Sequence, residues 1–296
     1  MPALLQSTVD RRSFLKTLSV GCAAISLSSI SARTKDDAKN FRVALLSDTH
    51  IPANAADLNR GFNMVDNFKR ITPEVLGMKP ELVILNGDAA RLEGKTEDYQ
   101  ALSDLLQPIN AAAPVCISMG NHDDRANFGT VFKANTGDKQ NVTGKNVLIL
   151  EHELLRFVVL DSLMYTNKTA GQLGKAQRDW LAKYLPTAKD RPIAIFVHHS
   201  LENNDGDLVD VDRLFEVLKP NRHVKAIFYG HSHVWSITER QHVKLINLPA
   251  IGYNFRDQDP VGWVESSFHR KGVELTLRAF GGNTAENGKK FDVRWA

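Results

Sequence analysis

Cysteine is almost missing from this chain of 296 residues, which has only Cys22 and Cys116. Cys22 falls in an N-terminal stretch that reads as removable, so a processed chain would keep one thiol. One thiol closes no internal disulfide, and stability must then rest on packing. Cys116 lies in the apolar run Pro114–Ser118 and reads as a small buried hydrophobe, not a nucleophile. Fixed-period repeats, low-complexity tracts and Pro-, Gly- or Ser-rich linkers are also absent, which excludes solenoid and tethered-array architectures. No apolar run is long enough for a comfortable membrane span, so stable membrane insertion is not expected. A strong charge of one sign is lacking too. The formal net charge is +3, of which Arg11, Arg12 and Lys16 against Asp10 supply +2 within residues 1–32, leaving a body near +1. A nearly neutral body argues against a nucleic-acid coat or a membrane-surface protein, and any anion-attracting site must be local.

The composition that remains, 43% hydrophobic and 24% charged, is that of a soluble globular protein with enough chain for one large core. Its first thirty residues read as an address. Asp10-Arg11-Arg12-Ser13-Phe14-Leu15-Lys16 precedes the weakly apolar stretch Thr17–Ile30 and the small residues Ser31-Ala32. A basic region, an uncharged region and a small-residue exit form a secretory signal, here over residues 1–32. The paired arginines followed by Phe-Leu-Lys resemble a twin-arginine signal, which implies the twin-arginine (Tat) export machinery as a partner and a periplasmic or extracellular destination. Cys22 after Val20-Gly21 offers a weaker alternative, lipoprotein anchoring, but Ser19 stands where an aliphatic residue is wanted.

From residue 40 to residue 296 one domain is expected. Apolar runs at Phe41–Leu46, Leu82–Leu85, Val115–Ser118, Val147–Leu150, Leu155–Leu160, Ile193–Val197 and Val224–Tyr229 read as strands, several of them apolar throughout. Continuous apolar strands are those covered on both faces. Helices are expected at Asp57–Leu76, Thr96–Asn110, Gly174–Leu185 and Leu208–Leu218. Further strands are expected at Val234–Thr238, Val243–Leu248, Trp263–Phe268 and Val273–Phe280. The sum is an α/β sandwich with mixed sheets.

Five polar motifs sit where strands end, the place where α/β folds bind ligands. They are Ser47-Asp48-Thr49-His50, Asn86-Gly87-Asp88, Gly120-Asn121-His122-Asp123, Val197-His198-His199 and Gly230-His231-Ser232-His233. Asp48 and His50 are two apart, as are His231 and His233. In extended backbone such pairs point the same way, so each pair can offer two donors on one side of a loop. Carboxylate and imidazole together suit zinc, manganese, iron or nickel, and the lack of thiolate argues against a structural zinc site. Each motif alone has a bland reading: a turn for Asn-Gly-Asp, a buried histidine beside an exposed one for His198-His199. Five in this order make a metal centre the better reading.

The set resembles the calcineurin-like metallophosphoesterase superfamily from about Phe41 to the C-terminal strands. Gln172–Leu181, with Gln177, Trp180 and Leu181, is similar to a helix many members carry between their third and fourth motifs. The resemblance implies a four-layer α/β/β/α sandwich with two mixed β-sheets and a two-metal centre holding Mn, Fe or Zn. Asp48, His50, Asp88 and His233 would hold one metal, and Asp88, Asn121, His198 and His231 the other, with Asp88 bridging. It further implies hydrolysis of a phosphate ester through in-line attack by a metal-bridging hydroxide. Two cations roughly 3.5–4 Å apart need an anionic bridge, and a carboxylate has two oxygens to give. His122 would sit over the leaving group as a catalytic residue. Asp123 would orient an imidazole or cap the following turn, and His199 would support a ligand.

Departures narrow the branch. Arg91 stands where purple acid phosphatases have a tyrosine ligand, and the Arg-rich clamp of the Ser/Thr protein phosphatases is not apparent. The motif set is most similar to the class III cyclic-nucleotide phosphodiesterase and glycerophosphodiesterase branch, which favours a small phosphodiester substrate. Phosphomonoesterase and nuclease readings share the same centre, although no Arg/Lys-rich stripe supports nucleic acid. A non-catalytic metal-binding protein is the reading from another class, and it leaves His122 without a task. Arg91, Arg125 and Asn127 are loop candidates for substrate contact or plain surface residues. Asn127–Asn146 would cover the site or form a surface insertion. Tyr253 and Phe255 would line a pocket or pack in the core.

Overall fold

In the first strand, β1 (Phe41–Leu46), alternate side chains enter two separate cores: Phe41, Val43 and Leu45 one, Ala44 and Leu46 the other. A strand that feeds two cores must belong to a sheet covered on both faces. The computed structural model describes residues 40–202 and 204–296. The expected signal segment 1–32, with Arg11, Arg12 and Cys22, lies outside the described residues.

After β1 come a short hairpin, β2 (Leu58–Asn59) and β3 (Phe62–Asn63), then α1 (Met64–Gly77) and β4 (Leu82–Leu85). These are followed by α2 (Thr96–Ala112), β5 (Val115–Ile117), α3 (Arg125–Val131), β6 (Asp138–Lys139), β7 (Leu148–Glu151) and β8 (Arg156–Val159). Then come α4 (Gly174–Tyr184), a 3-10 turn at Leu185–Thr187, β9 (Ile193–Phe196), α5 (Val211–Leu218) and β10 (Val224–Tyr229). The chain ends in β11 (Ser236–Arg240), β12 (Val243–Asn247), β13 (Pro260–His269), β14 (Gly272–Gly282) and β15 (Lys290–Arg294). One sheet runs β15-β14-β13-β1-β4-β5 and the other β11-β12-β10-β9-β8-β7-β6. Both are mixed: β1, β4 and β5 are parallel with β13 antiparallel, while β8, β9, β10 and β12 are parallel with β7 and β11 antiparallel.

Three cores separate four layers. Between the sheets, Phe157 meets Phe196 and Phe268 edge-on at 5.3 and 5.0 Å, and Phe196 stacks on Phe228 at 4.9 Å. The other face of the first sheet packs Val83 and Leu85 under Phe68, Ile71 and Leu102 of α1 and α2. The other face of the second packs Val158, Ile195 and Ile227 under Leu181, Leu214 and Phe215 of α4 and α5. This is the α/β/β/α sandwich expected from the sequence.

Some expectations need correction. The helix expected from Asp57 begins at Met64, because Arg60 (φ 50°) and Gly61 (φ 84°) turn the chain into the β2–β3 hairpin. Asn63 then caps α1 by accepting from the Asp66 N–H at 2.9 Å. The segment 127–146 does not form a cover. Asn135 accepts from the Ile117 N–H at 2.9 Å and donates to its carbonyl at 2.7 Å, pairing the β5 edge, and β6 extends the second sheet. Among the described residues, no helix is long and apolar enough to cross a membrane.

Candidate metal centre

The loops that leave β1 and β4 lie against each other: the Asp48 N–H donates to the Gly87 carbonyl at 3.2 Å and the His50 N–H to the Asp88 carbonyl at 2.9 Å. Asn86, fully buried, joins the two sheets at this end. Its side-chain NH₂ donates to the Val197 carbonyl at 3.1 Å, and its oxygen accepts from the Ser118 hydroxyl at 3.1 Å. The loop after β9 therefore reaches the loops after β4 and β5. Gly120 permits the closest approach, since a Cβ there would lie 2.2 Å from the Asp88 N and Oδ1.

The motif residues converge, but not through extended backbone. Asp48, His50, Asp88, His231 and His233 all have positive φ, between 48° and 69°. Left-handed conformations are costly outside glycine and persist where surrounding contacts over-determine them. Asp48 and His50 do bring their ligand atoms to one place, through turns that the spacing did not reveal, whereas His231 and His233 send theirs to two neighbouring groups of ligand atoms.

Four imidazoles each face a backbone carbonyl with one nitrogen. His50 Nδ1 lies 3.3 Å from the Arg91 oxygen, His198 Nδ1 2.9 Å from Asn86, His231 Nε2 3.1 Å from Gly206 and His233 Nδ1 2.5 Å from Tyr253. A carbonyl only accepts, so each of these nitrogens carries the proton and the other keeps a lone pair. Those lone pairs turn inward. His50 Nε2 and His233 Nε2 are 3.2 Å apart, and His198 Nε2 is 3.3 Å from both Asp88 Oδ2 and Asn121 Oδ1. His231 Nδ1 is 2.8 Å from Asn121 Oδ1, and His233 Nε2 is 3.4 Å from Asp48 Oδ1. Acceptors facing acceptors in a buried site call for cations between them. The donor set fits: Asp48, His50 and His233 form one cluster of potential ligand atoms within 4.8 Å, and Asp88, His198 and His231 another. Asp88 Oδ2 approaches both, at 3.8 Å from His50 and 3.3 Å from His198.

The electrostatics agree with such a centre. Burial opposes charge on His198, but Asp88 and Asp48 overcome it and push its pKa up to about 10. Without a cation its Nε2 therefore takes up a proton facing Asp88, and a cation held there would take that proton's place. Burial holds His50 down to about 3, and burial with His198 holds His231 down to about 4, so these rings stay neutral. Burial raises Asp48, yet His198 and His233 outweigh it and bring it to about 2.

His122 lies at the edge, with its Nδ1 2.8 Å from the Leu92 carbonyl and its backbone N–H donating to Asp88 Oδ1 at 2.8 Å. It shares a third ligand-distance cluster with His50 and Asp88. Asp123 touches no imidazole, which corrects its expected orienting role. Its carboxylate accepts from the N–H groups of Gly120, Ala90 and Ala89 and from the Tyr99 hydroxyl, so it braces the loops. Burial, with Asp88 nearby, raises its pKa to about 6. The cap on α3 is Asp124 instead, accepting from Asn127 at 2.9 Å. His199 is buried against the His231 ring at 4.8 Å and lies 2.7 Å from the Ser162 hydroxyl through Nδ1.

Arg125 is bound to Asp161 at 2.7 and 2.8 Å, and the Asn127 side chain donates to the Gly94 carbonyl at 2.9 Å. Neither is free for substrate. Arg91 lines a cavity of about 390 Å³ together with Leu92, whose carbonyl faces His122. Tyr253 and Phe255 do stand at the centre: Tyr253 lies 4.8 Å from both His50 and His233, and Phe255 stacks on His233 at 4.3 Å. Asn86, Tyr99 and Arg60 were missed. Asn86 stood in a motif that reads as a turn, Tyr99 within an apolar helix face, and Arg60 inside a segment read as helix.

The family model for calcineurin-like phosphoesterases matches residues 41–235, which spans all five loops. The chain belongs to the calcineurin-like phosphoesterase family. It is a metal-dependent phosphoester hydrolase of a family that uses two metals. It is 26% identical over 248 residues to a 3′,5′-cyclic adenosine monophosphate phosphodiesterase of Haemophilus influenzae, covering 78% of this chain and 87% of that one. It is 26% identical over 220 residues to a glycerophosphodiester phosphodiesterase of Enterobacter lignolyticus, covering 70% and 76%. A dimetal phosphatase from Danio rerio shares the fold at a TM-score of 0.66 and 13% identity, covering 86% of this chain and 99% of that structure.

Proposed function

We propose that this phosphoesterase hydrolyses small phosphodiesters on a pair of transition-metal cations, manganese, iron or zinc. Asp48, His50, Asp88 and His233 would hold one cation, and Asp88, Asn121, His198 and His231 the other. The observation that carries this reading is the set of four imidazoles that donate outward to carbonyls and turn their lone pairs toward each other, Asp48, Asp88 and Asn121. When bound, such cations activate water near neutral pH and stabilise charge on phosphoryl oxygens.

The chain's own groups do the rest. Asp88 spans the two clusters and fixes the His122 backbone through the same carboxylate. His122 donates its Nδ1–H to the Leu92 carbonyl, which orients Nε2. In the doubly protonated ring Nε2 would carry the proton that passes to the departing ester oxygen, leaving the ring neutral. Asp123 holds Gly120, and with it the turn that carries Asn121 and His122. The diester preference is supported by the relatives named for cyclic adenosine monophosphate and glycerophosphodiesters.

A substrate panel tests the reading. Purified protein supplied with Mn²⁺, Zn²⁺ or Fe²⁺ should hydrolyse aryl phosphodiesters or cyclic nucleotides faster than aryl monoesters, and chelator should abolish the activity. Faster cleavage of single-stranded DNA would favour a nuclease, and no chelator-sensitive turnover would favour a metal-binding protein. We also propose that residues 1–32 direct export by the twin-arginine route to the periplasm or beyond, supported by Arg11-Arg12-Ser13-Phe14-Leu15-Lys16.

A further inference from the structure

Rings line the centre in a row. His122 lies 5.3 Å from His50, His50 lies 5.2 Å from His233, and Phe255 stacks on His233 at 4.3 Å. The Arg60 guanidinium sits 5.0 Å over the Phe255 ring and extends the row outward. The Arg60 end of the row opens on a cavity of about 430 Å³ lined by Arg60, Phe62, Asn254 and Phe255. At the far end the His122 ring faces the carbonyl of Leu92, a residue that lines a separate cavity of about 390 Å³.

Arg60 is held there by backbone geometry. It occupies the first turn position of the β2–β3 hairpin at φ 50°, followed by Gly61 at φ 84°, the two-positive-φ pattern that suits a two-residue hairpin loop. Among the described residues, its guanidinium has no ion pair or hydrogen bond, only the face of Phe255. Phe255 is 46% exposed although it backs a buried ring of the centre. An unpaired guanidinium laid on an aromatic offers its outer face to another planar group, and stacking of this kind is tolerant of base identity. Asp257 on the same wall balances the charge, so the cavity does not select simply for anions.

We propose that the Arg60–Phe255 cavity is the subsite for the retained arm of a phosphodiester, and that this arm is a nucleoside whose base stacks on Arg60. The leaving arm then lies at the His122 end. This assignment rests on the hydrolase reading above and narrows its substrate class to nucleotide diesters.

Two esters with one leaving group isolate the retained arm: thymidine 5′-(4-nitrophenyl) phosphate and methyl 4-nitrophenyl phosphate. With metal-loaded full-length protein, the ratio of their kcat/KM values should favour the thymidine ester. That ratio should fall about ten-fold in Arg60→Gly, which suits the turn, and in Phe255→Ala. Arg60→Lys keeps the charge without the plane and should not restore it. A ratio near one in the wild type, or one unchanged in Arg60→Gly, overturns the subsite while leaving the hydrolase reading intact. Equilibrium dialysis of thymidine 5′-monophosphate, with inorganic phosphate as the second probe, gives a readout without turnover. Arg60→Gly should weaken the nucleotide about ten-fold more than phosphate. Should neither ester be hydrolysed, the hydrolase reading falls, and equal weakening of both probes would still overturn the subsite.

Discussion

His50 and His233 point their Nε2 atoms at each other across 3.2 Å, although they lie 183 residues apart. Each has committed its N–H to a carbonyl, of Arg91 and Tyr253. A cation between them relieves the repulsion. Chelation should therefore lower the melting temperature, and added Mn²⁺ should raise it in a concentration-dependent way. At 100 times the dissociation constant the gain is about 2.7 kcal/mol. Scanning calorimetry with and without EDTA reads it, and an indifferent Tm would contradict the metal reading. In Asp88→Ala, elemental analysis should find much of the metal gone together with activity.

His122→Ala should keep its metals but lose rate by about 10²–10⁴-fold on esters with poor leaving groups. With 4-nitrophenolate, which departs without a proton, the loss should be smaller. Equal losses on alkyl and nitrophenyl esters would argue against proton donation, and metal loss in this variant would make His122 a ligand.

Asn86→Leu should loosen the joint between the sheets. It removes the partners of the Ser118 hydroxyl and the Val197 carbonyl, both buried. Leaving such groups unsatisfied costs about 1–3 kcal/mol each, which urea unfolding would detect as a lower midpoint. An unchanged midpoint would show that the joint rests on packing alone.

Burial pushes the Cys116 thiol up to about 12. A folded-state pKa raised above the unfolded value of 9.0 favours the fold while the thiol is protonated, so that contribution fades as pH rises from about 9 toward 12. At pH 8 the native thiol should resist iodoacetamide and react only on unfolding, as mass spectrometry would show. Rapid native labelling would place it at an accessible edge.

Replacing Arg11 and Arg12 by lysine should strand the precursor in the cytoplasm. Immunoblots of cell fractions decide this, and undiminished export would reject the twin-arginine route.

The amino-acid sequence by itself determined the alternation of strands and helices and the types of ligand at the strand exits. Apolar runs such as Ile193–Val197 read as strands covered on both sides, and Asp, Asn and His at strand exits fall where α/β folds bind ligands. Local patterning suffices for these, because solvent exclusion acts on each strand separately. The tertiary structure alone decided that Asp48 and His50 take left-handed backbone, that Asp123 braces loops, that Asn86 joins the sheets and that Arg60 lies on Phe255. Those facts depend on contacts between segments far apart in the chain, and their energies exist only once both sheets have closed on the same core.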